Sequence, residues 1–173
     1  GWPAADPDAA DSLGSEVPCL GITGHENSQS CDLIPGAVFS IDYLETGGLV
    51  AWKEDRSHVP MHHLLSLRQS AKERGEAEPY QLAGRDVLVY GSGIGNGKRA
   101  HMDLRIELPG VRLGLAYRQS DRRGNANFYL NVTGEACVID GALRIHDWVH
   151  QTLEELGGDL RDEWMKRIDI CLD

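Results

Sequence analysis

The stretch between residues 85 and 133 most constrains the fold, because it places several strand-like runs between turns too short to hold a helix. Asp86–Tyr90 reads as a strand, Gly91-Ser92-Gly93-Ile94-Gly95-Asn96-Gly97 as a turn, and Ala100–Leu108 as the next strand. Pro109-Gly110 then reverses the chain into Val111–Tyr117, and the polar residues 120–125 lead into Asn127–Thr133. Parallel neighbours need a crossover of about a dozen residues or more, so this run predicts an antiparallel meander. A helix is expected on either side of it. The first takes Ser57 as N-cap and Pro60 in its first turn, carries Met61, Leu64, Leu65 and Ala71 as an apolar stripe, and stops near Arg74 before Gly75. The second runs from about Leu143 to Leu156, with Ile145, Trp148, Val149, Leu153 and Leu156 on one side and Gly157-Gly158 closing it.

Two more strands flank these helices. Ala37–Leu44 ends at Gly47-Gly48, with Leu49 to Trp52 continuing it or returning beside it, and Trp164–Asp173 closes the chain. The expected fold class is α+β, an antiparallel sheet of about five or six strands with helices packed on one face. Residues 1–37, rich in Gly, Pro, Ser, Asp and Ala without period, read as an irregular or mobile leader, and 38–173 as the α+β domain. A domain rarely ends in a strand apolar enough to be central, so the domain reads as the N-terminal part of something longer.

At 173 residues, with 41% hydrophobic and 25% charged side chains, the chain suits one domain with a substantial core. No run approaches the length of a membrane span and no signal-peptide pattern opens the chain, which predicts a cytoplasmic protein. Cys19, Cys31, Cys137 and Cys171 have no short metal-binding spacing and are expected as thiols rather than disulfides. Asn131-Val132-Thr133 is a glycosylation sequon in form, but it lies in a predicted strand.

A net charge of −10 argues against nucleic acid, yet the charge is uneven. Residues 85–123 hold 8 basic and 4 acidic side chains, against 5 and 13 in residues 1–84 and 4 and 10 in residues 124–173. Lys98, Arg99, Arg105, Arg112, Arg118, Arg122 and Arg123 therefore form a candidate phosphate-facing patch, with a solvated hairpin as the plain alternative.

Alternation assigns the faces. In the last strand Trp164, Lys166, Ile168, Ile170 and Leu172 would share one side, and Met165, Arg167, Asp169, Cys171 and Asp173 the other. In the strand at 100–108, Met102, Leu104, Ile106 and Leu108 would oppose His101, Asp103, Arg105 and Glu107. Phe39, Ile41 and Tyr43 would point inward, leaving Asp42 on the far side. With helices over the aliphatic face, the open face would gather Asp42, His101, Asp103, Glu107, Asp169 and Asp173, a candidate site for a hard divalent cation such as Mg²⁺ or Mn²⁺. An ordinary ion pair of Arg167 with Asp169 or Asp173 near a sheet edge is the alternative.

Two motifs fall short. The glycine run lacks the first P-loop glycine, having Ser92 there, and has Arg99 where Ser or Thr should follow Lys98. His146-Asp147-Trp148-Val149-His150 is similar to the HExxH helix of zinc proteases, with Asp for the Glu that serves as base; its histidines at i and i+4 could share a metal, which gives a zinc-hydrolase reading. His58 and His62 share that spacing with less around them.

The terminal Lys166-Arg167-Ile168-Asp169-Ile170-Cys171-Leu172-Asp173 resembles the "TRIDLALD"-type strand of the replication initiation factor family, the rolling-circle replication initiators of plasmids and phages. Asn131-Val132-Thr133-Gly134-Glu135-Ala136-Cys137 is similar to that family's "SGxGC" step before a Trp-bearing helix, and Ile41-Asp42-Tyr43-Leu44 resembles its opening strand; Lys166 stands where the family usually has Thr. The resemblance implies a site-specific DNA endonuclease and strand transferase acting on origin DNA, single-stranded or in a hairpin, in company with a host helicase or polymerase. A tyrosine hydroxyl would attack a phosphodiester while a metal held by acids polarises the phosphate. Asp169 and Asp173 match the motif as ligands, Glu107, Asp103 and Asp42 join them by alternation alone, and Arg167 would orient carboxylate or phosphate. The nucleophilic tyrosine of the resemblance falls beyond Asp173, so this chain alone is expected not to nick. A non-catalytic nucleic-acid-binding domain of the same fold is the other reading.

Overall fold

The computed structural model describes residues 39–53, 59–95, 101–118 and 125–172. Their strands are β1 (Phe39–Trp52), β2 (Glu78–Leu82), β3 (Arg85–Tyr90), β4 (Ile94–Gly95), β5 (His101–Met102), β6 (Leu104–Leu108), β7 (Val111–Leu115), β8 (Phe128–Thr133) and β9 (Gly158–Leu172). The helices are α1 (Val59–Arg74), α2 (Gly134–Ile139) and α3 (Ala142–Glu155). Seven strands form one antiparallel sheet in the order β2-β3-β6-β7-β8-β1-β9, and β4 pairs with β5 separately. The α+β class expected from the sequence is the one observed, with the sheet longer than expected.

The α1 stripe buries Met61, Leu64 and Ala71, and α3 buries Ile145, Trp148, Val149 and Leu153, as their 3.6-residue spacing predicts. These side chains meet Leu104, Ile106, Leu113, Leu115, Phe128, Leu130 and Val132, the inward residues of three neighbouring strands, in one core. Trp148 lies in that core and donates its indole N–H to the Leu82 carbonyl at 3.1 Å, which ties α3 to the far strand of the sheet. After Leu156, Gly157 at φ 76° turns the chain at once into β9, a conformation a side chain would oppose.

Strand β2 was not evident in the sequence because Pro79 and its polar neighbours obscure it. Proline is tolerated there since β2 is an edge strand. A two-residue turn of Ala83 (φ 46°) and Gly84 (φ 75°) joins it to β3, and Glu155 of α3 accepts the Ala83 amide hydrogen bond at 2.9 Å. The sequence also joined residues 100–108 into one strand. In the structure the chain breaks at Asp103: β5 turns away to pair with β4, and Met102 leaves the aliphatic face for a small second cluster with Ile94, Ala116, Ala126, Tyr129 and Trp164. This small hairpin sits on the opposite side of the sheet from the helices. Gly114 admits it, since a Cβ there would stand 2.9 Å from Ile94 Cδ1 and 3.0 Å from Met102 Cγ.

Candidate functional site

The side of the sheet away from the helices is built in rows set by register. One row runs Leu88, Glu107, Arg112, Asn131, Glu45, Arg167 across β3, β6, β7, β8, β1 and β9. The next runs Tyr90, Arg105, Gly114, Tyr129, Gly47, Trp164 through the same strands. Directly opposed residues on a sheet are close enough to interact, and Gly114 and Gly47 interrupt the second row.

Three cations on this face lie over tyrosine rings, one within its row and two across rows. Arg105 covers Tyr90 at 4.2 Å from the ring centroid, Lys166 covers Tyr129 at 4.8 Å, and Arg167 covers Tyr43 at 4.8 Å. Asn131 Nδ2 donates to the Tyr43 hydroxyl. Glu107 Oε1 accepts from Arg105 Nε at 2.8 Å and from Arg112 Nε at 2.5 Å. Burial alone would raise the Glu107 pKa, but the two guanidiniums outweigh it and hold the carboxyl below its ordinary value. Burial, helped by the Glu45 charge and by Tyr43, pushes the Tyr129 hydroxyl up to about 12. Hydrogen bonds from Arg167 Nε (3.0 Å) and Nη2 (2.5 Å) to Asp169 raise the guanidinium pKa further.

The structure corrects the expected acidic cluster. Asp42 does not face the open side: β1 bulges between Ile41 and Tyr43, which turns Tyr43 outward and sets the Asp42 carboxylate against Gly134 at the start of α2. There its charge, after burial itself, helps raise the Cys137 thiol pKa. Asp103 stands at the break between β5 and β6, outside the alternation that placed it. Glu107 and Asp169 do share the open face, but β7, β8 and β1 lie between their strands, a separation of about 19 Å at ordinary strand spacing. Each is already engaged by arginine. Asp173 and the His101 side chain lie outside the described residues. The four described acids therefore do not fit one hard cation, and no chemical step is derived through one.

The terminal strand is corrected as well. It is an edge strand rather than a central one, and Met165, Ile168 and Ile170 are exposed. A second bulge, in β9 opposite Glu45 and Thr46, leaves Lys166 out of register, so Trp164, Lys166 and Arg167 all serve the open face, where strict alternation had divided them. The ion pair of Arg167 with Asp169, the alternative reading, is what the strand contains. Of the expected phosphate-binding residues, Arg105 and Arg112 lie on the open face and Arg118 is exposed just after β7. Lys98, Arg99, Arg122 and Arg123 fall outside the described residues, as do Cys19, Cys31, Ser57, His58 and the leader.

A second grouping lies on the helix side. His146 Nε2 is 2.8 Å from Glu163 Oε2, and the His146 and His150 rings are 4.5 Å apart between centroids. Spacing on α3 indicated the two histidines. The glutamate could not be read from it, because only the pairing of Glu163 with Gly48 decides which face of β9 it takes. Tyr43, Tyr90, Tyr129, Trp164 and Asn131 were likewise missed as site residues; their signal was an aromatic or amide at the outward positions of four strands.

Compared with protein-family models, with curated proteins and with solved structures, the chain matches none. Among the described residues no helix is long and apolar enough to cross a membrane.

Proposed function

We propose that the chain is a nucleic-acid-binding domain that takes a single strand on its open sheet face. The observation that carries this is the set of three cation-on-tyrosine stacks on one sheet face, Lys166 on Tyr129 and Arg167 on Tyr43 at its β8-β1-β9 end and Arg105 on Tyr90 across β7, over which the β4–β5 hairpin lies. Single strands are recognised by stacking unpaired bases on aromatic rings or guanidinium planes while cations meet the phosphates. The face supplies both, and Asn131 adds an amide able to pair with a base edge. Glu45, Glu107 and Asp169 offset the local cations, so stacking rather than bulk charge must supply most of the affinity. The finer reading is the DNA-binding part of a rolling-circle initiator, the partner that the resemblance of the terminal strand implies.

The test is fluorescence anisotropy with a labelled oligothymidine of about 20 nucleotides and its duplex form. The single strand should bind better than the duplex, with a log–log salt slope of about −2, as for roughly three phosphates. Arg167→Ala and Trp164→Ala should each weaken binding by about 5-fold to 100-fold, the range of one lost stack. Absence of binding at low salt, or binding by both variants as tight as by the unsubstituted chain, would refute the proposal. The 173-residue chain should bind without nicking; cleavage of the strand would place a nucleophile inside it.

A further inference from the structure

We infer that His146, His150 and Glu163 form a binding site for a borderline transition-metal ion of the Zn²⁺ type, joining α3 to β9. The three residues each bring one ligand atom, all within 4.8 Å of one another, the only such group of three among the described residues. Histidines one helical turn apart lie one above the other on the same face, so the helix sets two ligands without rearrangement. Glu163 meets them from the strand that follows the helix, and a two-residue turn after Glu155 fixes the distance between them. In a tetrahedral site with ligand bonds of about 2.0–2.1 Å, ligand atoms stand about 3.3 Å apart. The 2.8 Å between His146 Nε2 and Glu163 Oε2 must open slightly and the longest separation must close by about an ångström and a half, within the reach of side-chain rotation.

A second observation points to a ligand at the same place. Glu163 Oε1 is buried and has no hydrogen-bond partner, while its other oxygen meets His146. A buried carboxylate oxygen left without a partner is costly, and a cation held by this carboxylate between the three residues would offset the charge that oxygen carries. Two imidazoles and one carboxylate suit Zn²⁺, Co²⁺ or Ni²⁺ and poorly suit Mg²⁺ or Ca²⁺, which prefer an all-oxygen shell. His150 is exposed and His146 is partly so, which leaves a route for the ion and a fourth position for water. The site lies on the opposite side of the sheet from the nucleic-acid face and does not depend on it.

The test is calorimetric titration of the 173-residue chain with ZnCl₂, alone and in millimolar Mg²⁺, together with the visible spectrum of the Co²⁺ form. One ion per chain should bind, with Mg²⁺ failing to compete, and Co²⁺ should show the intense absorption of a tetrahedral centre. His150→Ala and Glu163→Gln should each weaken uptake about 100-fold or more, and at a hundredfold excess over Kd Zn²⁺ should raise the unfolding midpoint of the unsubstituted chain by about 5–10 °C. His150 is exposed, with its ring 4.5 Å from the His146 ring, so its variant should fold, which circular dichroism checks. No stoichiometric uptake, or uptake unchanged in both variants, would overturn the inference; the second result would assign the ion to other histidines.

Discussion

Asn127 offers the sharpest test of how the open face is held in place. Its side chain is fully buried beyond the end of β8, where the pairing of β8 with β1 has stopped at Phe128 and Gly48. There the amide imitates a peptide group. Oδ1 accepts from the Val50 amide, and Nδ2 donates to the Val50 carbonyl and to the Arg118 carbonyl, each at 2.7 Å. Asn127→Ala removes three hydrogen bonds of about 0.5–1.5 kcal/mol each and leaves the backbone groups of fully buried Val50 without partners, which sets the loss near the top of that range, about 3–4 kcal/mol. Urea unfolding at pH 7 should show it as a lower midpoint at an unchanged slope. Asn127→Asp should be at least as damaging, because its second oxygen would face two carbonyls and carry a buried charge; the gap between Asp and Ala should narrow in acid as the carboxyl protonates. A loss below about 1 kcal/mol for Ala, or an Asp variant as stable as Asn, would refute the hydrogen-bond account.

Glu107→Gln should cost about 1 kcal/mol at pH 7, after allowance for solvent around the two arginines. Because the folded pKa is depressed, this stability is present above the unfolded value near 4.5 and disappears as pH falls through the folded one, so the two proteins should converge in acid unfolding curves. Ultraviolet titration of the five tyrosines should show a component near pH 12 that Tyr129→Phe removes. The raised value means that Tyr129 favours the folded state fully below pH of about 10 and loses that contribution as pH rises toward 12. Ala83→Gly should raise stability by about 1 kcal/mol by relieving the left-handed φ of 46°, a gain that thermal unfolding can resolve.

Hydrophobic spacing and turn chemistry determined much by themselves. Met61, Leu64 and Ala71 on α1, and Ile145, Trp148, Val149 and Leu153 on α3, are buried where period 3.6 places them. The turn at Pro109-Gly110 made β6 and β7 antiparallel partners, because two residues leave the chain no other way back. These are local signals, and local geometry is enough to express them.

What the tertiary structure alone decided is which strand lies beside which and which face each side chain takes. The bulges at Asp42 in β1 and at Lys166 in β9 reset a two-residue alternation that the sequence carries without interruption, so Asp42 turned toward α2 and Lys166 joined Arg167. Strand order set Glu107 and Asp169 far apart, and the departure of β5 from the sheet removed Asp103 from the row. The same long-range pairing brought Glu163 to two histidines and lined up Tyr90, Tyr129 and Trp164. A bulge or a register belongs to two strands at once, and its energy comes from contacts between residues remote in the chain, which no single segment encodes.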